Sequence, residues 1–394
     1  MNAHRLEHKL QQLLPQMTAL SDDLFDHPEV GGKEFYAAGR LTAFLEQEGF
    51  AVERGIGGLE TSFRAVWENG RDGPSIGLLC EYDALPHYGH GCGHHMQGPA
   101  ILAAAAALKA AADEQPFCLV IYGTPDEEYG DGKIKMLENG CFRDIDFALM
   151  THAGPNTTVD VKSLAQCTYV AEYHGRASHA ALKPEDGRSA VDAMLLSLHG
   201  LELLREHVRD DVKMHYAILE TSPTSNVVPE YARIEYSLRS YSSAYLDQVC
   251  ARFEKVMQGA ALMTETTVNY RVQSYCKSKV PVPLLNGRIM EHAAALHAPQ
   301  QIPFREKTGS TDFGNLLHEI PGSCVRVAFV PEGTPSHSDG FLAAGKSPEM
   351  HSAILLAAQV LARTSADLIC DSSFREAVQA EFRTQLTKEH SYSS

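Results

Sequence analysis

Apolar and polar side chains follow two different periods along this chain. Over Arg5 to His27 and again over Phe35 to Glu48 the apolar residues return at the spacing of one helix face, which predicts two amphipathic helices. Ser75 to Glu81 is by contrast a continuous apolar run, Ser-Ile-Gly-Leu-Leu-Cys-Glu, and Phe117 to Gly123 and Phe147 to Met150 are two more. Runs of this kind read as strands buried on both faces. An alanine-rich helix starts at Pro99, where a proline in the first turn loses no hydrogen bond. Strand–helix–strand order with such strands predicts an α/β fold, a mainly parallel sheet flanked by helices. Ligands of these sheets gather beyond the carboxyl ends of the strands.

From about Gln166 the texture changes. Tyr169 to His174, Ala232 to Arg239 and Thr266 to Gln273 alternate as half-buried strands, with a helix from Ser189 to His207 between the first two. Continuous apolar patterning resumes after Pro281-Val282-Pro283, with a helix over Leu285 to His297, a strand over Cys324 to Val330 and a long helix over Pro348 to Ala362. The expected organisation is one discontinuous sheet domain, residues 1–164 and 281–394, interrupted by a small α+β domain of ferredoxin-like pattern, residues 165–280. The prolines mark the hinge. No internal repeat or low-complexity tract interrupts this order.

Composition narrows the partners. A chain of 394 residues is long for one core. Its 44% hydrophobic and 21% charged content is that of an ordinary globular protein. A formal net charge of -16 argues against nucleic acid and against an anionic membrane surface. No run of eighteen uncharged apolar residues occurs, so no membrane span is expected; the nearest candidate, Pro99 to Ala112, contains Lys109. Met1 to Leu20 reads as an amphipathic surface helix and not as a signal peptide. Nine cysteines show no framework spacing. Cys80, Cys118, Cys324 and Cys370 stand in apolar runs and read as buried free thiols of a reducing cytoplasm.

Cys92 differs, because it stands in Gly91-Cys92-Gly93-His94-His95, between a strand and a helix. A thiol and an imidazole two residues apart, with glycines to let the backbone turn, form a candidate metal site. A turn with a spare thiol is the plain alternative. A dinucleotide loop is excluded, since glycine would be required where His94 stands. Thr124-Pro125-Asp126-Glu127-Glu128 adds two adjacent carboxylates after an apolar strand; one could hold a metal while the other takes a proton from water. Adjacent glutamates on a solvated face are the ordinary alternative. His152, between a strand and Gly154-Pro155, and His337, in Pro335-Ser336-His337-Ser338, are further candidate ligands, and a hydrogen-bonded structural histidine is their alternative. Asp83 reads either as a turn residue or as a carboxylate that orients a ligand.

Taken in order, these segments resemble the M20 family of metallopeptidases and amidohydrolases, in particular its aminoacylase-like branch. That branch reads Asp-Ala-Leu-Pro, then His-Ala-Cys-Gly-His-Asp, then Pro-Ala-Glu-Glu. This chain has Asp83-Ala84-Leu85-Pro86, then His90-Gly91-Cys92-Gly93-His94-His95, then Pro125-Asp126-Glu127-Glu128. The likeness runs from His27-Pro28-Glu29 to the C-terminal helix. It implies that Cys92, His94, Glu128, His152 and His337 bind two divalent ions, zinc or manganese, with Glu127 as general base and later acid. It further implies that His179, in Gly175-Arg176-Ala177-Ser178-His179-Ala180, stabilises the oxyanion, within its own subunit or in a partner's. Asn226 and Arg239 would bind the substrate's carboxylate or oxyanion. Ser310-Thr311-Asp312-Phe313 resembles the branch's Ser-Glu-Asp-Phe.

Two departures stand out: His95 replaces the branch's Asp, and Asp126 its Ala. Both, with Glu81-Tyr82-Asp83, lean toward members that act on β-alanyl or related dipeptides. The expected activity is hydrolysis of an N-acyl amino acid or small dipeptide by a cytoplasmic enzyme. A homodimer through the inserted lid domain is implied by the family alone. A cysteine-nucleophile hydrolase and an inactive metal-binding scaffold are the rivals. The intact Glu127-Glu128 pair speaks against the scaffold.

Overall fold

The computed structural model describes residues 1–221 and 224–391. The chain divides into two compact units. The first comprises Met1–Lys162, Lys279–Thr308 and Asn315–Leu386. The second comprises Ser163–Ser278, Gly309–Gly314 and the described residues from Thr387 onward.

Eleven strands are present among the described residues: β1 (Ala51–Arg54), β2 (Phe63–Asn69), β3 (Ser75–Cys80), β4 (Phe117–Gly123), β5 (Phe147–Gly154), β6 (Thr158–Val159), β7 (Ala165–His174), β8 (Lys213–Glu220), β9 (Tyr231–Ser240), β10 (Thr267–Cys276) and β11 (Gly322–Ala328). The first unit holds a seven-stranded sheet in the order β1-β2-β4-β3-β5-β11-β6. Its centre is parallel, through the β3–β4, β3–β5 and β5–β11 pairs, and antiparallel strands form its edges. The expectation of a mainly parallel sheet flanked by helices therefore holds.

The alanine-rich helix, Gln97–Ala110, explains how the helical layer packs. Twelve consecutive residues, Gln97 to Leu108, are buried, because the helix is covered on several sides. The helices Ala3–Asp26 and Pro348–Cys370 both pack against it, and small side chains allow that close approach. Asn2 caps the first of these helices by accepting from the Arg5 amide at 3.0 Å. Ser347 caps the other at 3.1 Å, with Pro348 at the first helical position. Pro348–Cys370 is long and apolar enough to span a bilayer by length and composition alone, but 67% of its most apolar window is buried in the protein. Cys370, expected among the buried thiols, ends that helix and is exposed, and Cys118 is half-buried; all nine cysteines are free.

The second unit is strand–helix–strand–strand–helix–strand, with its four antiparallel strands in the order β10-β7-β9-β8. Its helices are Ala190–Arg205 and Ser243–Met263, capped by Ser189 and Ser242. Their apolar sides bury Met194, Leu201, Phe253 and Met257 against Tyr169, Ile234 and Tyr236 of the sheet. This is the ferredoxin-like pattern expected from the alternating strands.

Candidate metal centre

The parallel strands of the first unit end at one edge, and the candidate residues follow them there. Beyond β3 the chain reaches Asp83, which is buried. Its Oδ1 accepts from His94 Nδ1 at 3.0 Å, and its Oδ2 accepts from the Glu128 amide at 3.0 Å. One carboxylate thus orients both a ring and the backbone of a second candidate ligand, the role of a residue that holds ligands in place.

Gly93 opens a short 3-10 turn, His94–Met96, at φ 82. A side chain there would be strained, and its Cβ would stand 2.7 Å from Ala153 Cβ. Glycine lets the turn lie flat on β5 and brings Cys92 and His94 to the same side as His152. Cys92 Sγ lies 3.6 Å from His152 Nε2, and the His94 and His152 rings meet edge-on at 5.4 Å.

The Glu127-Glu128 loop is shaped by acids further back in the chain. Asp126 has φ 61, and its amide donates to Glu34 Oε1 at 2.8 Å. The Asp126 carboxylate packs so closely on Gly31 and Gly130 that a Cβ at either position would collide with it. Glu34 Oε2 in turn accepts from Thr61 at 2.7 Å. The replacement of Ala by Asp126 is therefore part of the loop's own scaffold. His337 has φ 61; its amide donates to the Gly91 carbonyl at 3.0 Å, and its Nε2 lies 3.4 Å from Glu128 Oε1.

Among groups drawn wholly from the first unit, three overlapping ones have ligand atoms within 4.8 Å of one another: Cys92, His94 and His152; Cys92, Glu128 and His337; and His94, Glu127 and Glu128. All five residues expected as ligands, with Glu127, are thus brought together. His94 Nε2 is buried and makes no hydrogen bond, although Glu81 Oε2 is 3.3 Å away. A buried ring nitrogen left open among a thiol, imidazoles and carboxylates fits a divalent ion.

The electrostatics follow from the crowding. Burial pushes the Cys92 thiol up, but His94 and His152 beside it outweigh this and bring it down to about 7. Burial likewise opposes the Glu128 charge, and His337, 3.4 Å from its Oε1, and the nearby His94 bring it down to about 2. His337 is raised to about 10 by the Cys92 thiol and the Glu128 carboxylate beside it. In metal-free protein, alkylation of Cys92 is expected to accelerate as pH rises through about 7, because the thiolate is the nucleophile. Rates of iodoacetamide labelling against pH, read by mass spectrometry at the Cys92 peptide, check this; a midpoint near the free-thiol value would contradict it.

His95 faces away from this centre. It is buried against Phe25 at 4.9 Å, its Nε2 lies 2.8 Å from the Gly345 carbonyl, and burial lowers it to about 4. The departure at this position is one of packing. Sequence reasoning missed the buried Glu81, which pairs with Lys133 Nζ at 2.5 Å and accepts from Gln97 at 2.8 Å. A glutamate closing an apolar strand was the signal available.

His179, Asn226 and Arg239 belong to the second unit. The His179 and Asn226 segments are joined, since the Ala180 amide donates to the Asn226 carbonyl at 3.0 Å and His179 bridges to Val227. His179 Nδ1 accepts from the Ala181 and Leu182 amides, both at 3.2 Å, which leaves the proton on Nε2. Arg239 lies on β9 opposite Gln166 and Lys213, and burial lowers it.

The family model of peptidase family M20/M25/M40 matches residues 78–364. This chain belongs to that family. Among curated M20 relatives, the Xaa-Arg dipeptidase of Mus musculus is 30% identical over 401 residues, covering 98% of this chain and 93% of the mouse protein. One of the subunits of the p-aminobenzoyl-glutamate hydrolase of Escherichia coli K12 is 31% identical, covering 95% of this chain and 93% of its own length. The solved aminobenzoyl-glutamate utilization protein of Klebsiella pneumoniae superposes with a TM-score of 0.73 at 22% identity, covering 93% of this chain and 99% of that one. A dinuclear metal binding peptidase of the M20 family from Bacillus subtilis does so at 0.67 and 20%, covering 88% and 98%. These two likenesses show the fold. As an M20 member the chain is a hydrolase of the metallopeptidase and amidohydrolase kind.

Proposed function

We propose that this hydrolase cleaves the amide bond of a small dipeptide or an N-acyl amino acid at a centre for two divalent ions. The observation that carries the reading is the convergence of Cys92, His94, Glu128, His152 and His337, with the buried His94 Nε2 left open among them. Cys92, His94 and His152 would hold one side of the centre, and Glu128 and His337 the other. The Cys92 thiolate favours a borderline ion such as zinc over magnesium; manganese is the alternative that the family likeness adds. Bound there, a pair of divalent ions lowers the pKa of water and polarises the scissile carbonyl.

The chain's own groups do the rest. Glu127, within reach of His94 and Glu128, takes the proton from the attacking water and returns it to the leaving amine. Asp83 keeps His94 and the Glu128 backbone in position. His179 offers its Nε2–H to the developing oxyanion, and Asn226 and Arg239 bind the substrate's carboxylate.

The curated relatives favour dipeptide or acyl-amino-acid substrates, and a β-alanyl dipeptide is one member of that class. A homodimer through the second unit is supported by β8, an edge strand that leaves Tyr216, Ile218 and Leu219 exposed. Free cysteines throughout suit a reducing cytoplasm. Hydrolysis of a panel of dipeptides, β-alanyl dipeptides and N-acyl amino acids by zinc- or manganese-loaded protein tests the reading. Turnover of at least one class is expected; no turnover of any would overturn it.

A further inference from the structure

β11 is an apolar strand with β5 on one side and β6 on the other, yet it carries Arg326 in its middle. Arg326 stands opposite His152 in the register, and its Nη1 lies 3.0 Å from His152 Nδ1. A guanidinium in such a strand needs a partner. Asp160, almost wholly buried, accepts from Arg326 Nε at 3.1 Å.

The same carboxylate also holds Arg305, through Nε at 3.0 Å and Nη2 at 2.6 Å, and Lys279 at 2.9 Å. Asp160 is the one carboxylate that either arginine touches among the described residues. Two guanidinium groups therefore share one carboxylate beside a candidate ligand. Arg305 Nη1 and Arg326 Nη2 make no hydrogen bond among the described residues, and neither is sealed from solvent. Two arginines with open N–H groups, held rigidly by a common acceptor, match the planar geometry of a carboxylate.

We infer that Arg305 and Arg326 form an anion subsite that takes a carboxylate of the substrate, selecting an amide with an acidic side chain over its neutral counterpart. The inference rests on the proposed hydrolase reading, which it deepens by naming the substrate class. It adds a second cationic site to the one proposed at Arg239.

Matched pairs test it: N-acetyl-glutamate against N-acetyl-glutamine, and Ala-Glu against Ala-Gln, with binding measured by calorimetry on chelated, non-turning-over protein. The wild type is expected to prefer the acidic member of at least one pair by about 10- to 100-fold, as one charge-assisted contact provides. Arg305→Gln removes that preference while Asp160 keeps Lys279 and Arg326, so the fold is expected to survive. Arg326→Gln, which leaves Asp160 with Lys279 and Arg305, is the second variant, with the same expected loss. Absence of a preference in the wild type, or its survival in either folded variant, overturns the inference. A preference that depends on Arg305, without hydrolysis by the metal-loaded enzyme, would instead overturn the hydrolase reading alone.

Discussion

Glu127→Gln is expected to lower kcat by about 10²–10⁴-fold, the loss usual when a general base is removed. The substitution keeps the size and hydrogen-bonding shape of the side chain and removes its ability to take a proton. Glu127 shares a 4.8 Å group with His94 and Glu128, while Cys92, His94 and His152 form a group without it and so do Cys92, Glu128 and His337. Metal content is therefore expected to stay at the wild-type level, measured on the same sample as the rate. Loss of metal together with rate would mean that Glu127 is a ligand. An unchanged rate would remove it from the chemistry.

The second large effect is expected at Asp83. Asp83→Ala takes away the acceptor of the Glu128 amide and one of two acceptors at His94 Nδ1, the other being the Asp83 carbonyl at 3.0 Å. The Glu128 amide is left unpaired, which costs about 1–3 kcal/mol, and His94 Nδ1 keeps only the backbone acceptor. Because both donors belong to proposed ligand residues, the cost falls on metal affinity: a loss of about 10- to 100-fold is expected, as for other groups that orient ligands. Asp83→Asn keeps one side-chain acceptor and should fall between the two. Zinc competition with a chromogenic chelator measures both variants; affinities equal to wild type would leave Asp83 a turn residue.

The central strands were legible because burial on both faces writes a continuous apolar run, as in β3, β4, β5 and β11. The edges were not. β1 is almost entirely exposed and β8 exposes all but Met214, so neither carries a clear period. The helix Ser372–Ser391 buries Val378 and Phe382 in a largely polar sequence, which leaves little periodic signal. At the centre, residues close in the chain or following a strand were readable: Cys92 with His94, Glu127 with Glu128, and His152. The supports Glu34 and Lys133 were not, because they reach the site by folding: Glu34 is 92 residues from Asp126, and Lys133 is 52 from Glu81. His95, the departure from the branch's Asp, could not be placed from sequence: the 3-10 turn rotates it toward Phe25 and the helical layer. Neighbours in sequence point apart on such a turn.

The most direct measurement is the metal content of the purified protein, read beside its hydrolytic activity before chelation, after it, and after adding back zinc or manganese. The proposed centre predicts about two divalent ions per chain, loss of activity on their removal and its return on reloading. Activity that survives complete chelation but is abolished by alkylation of Cys92 would contradict it, and would make that thiol the nucleophile.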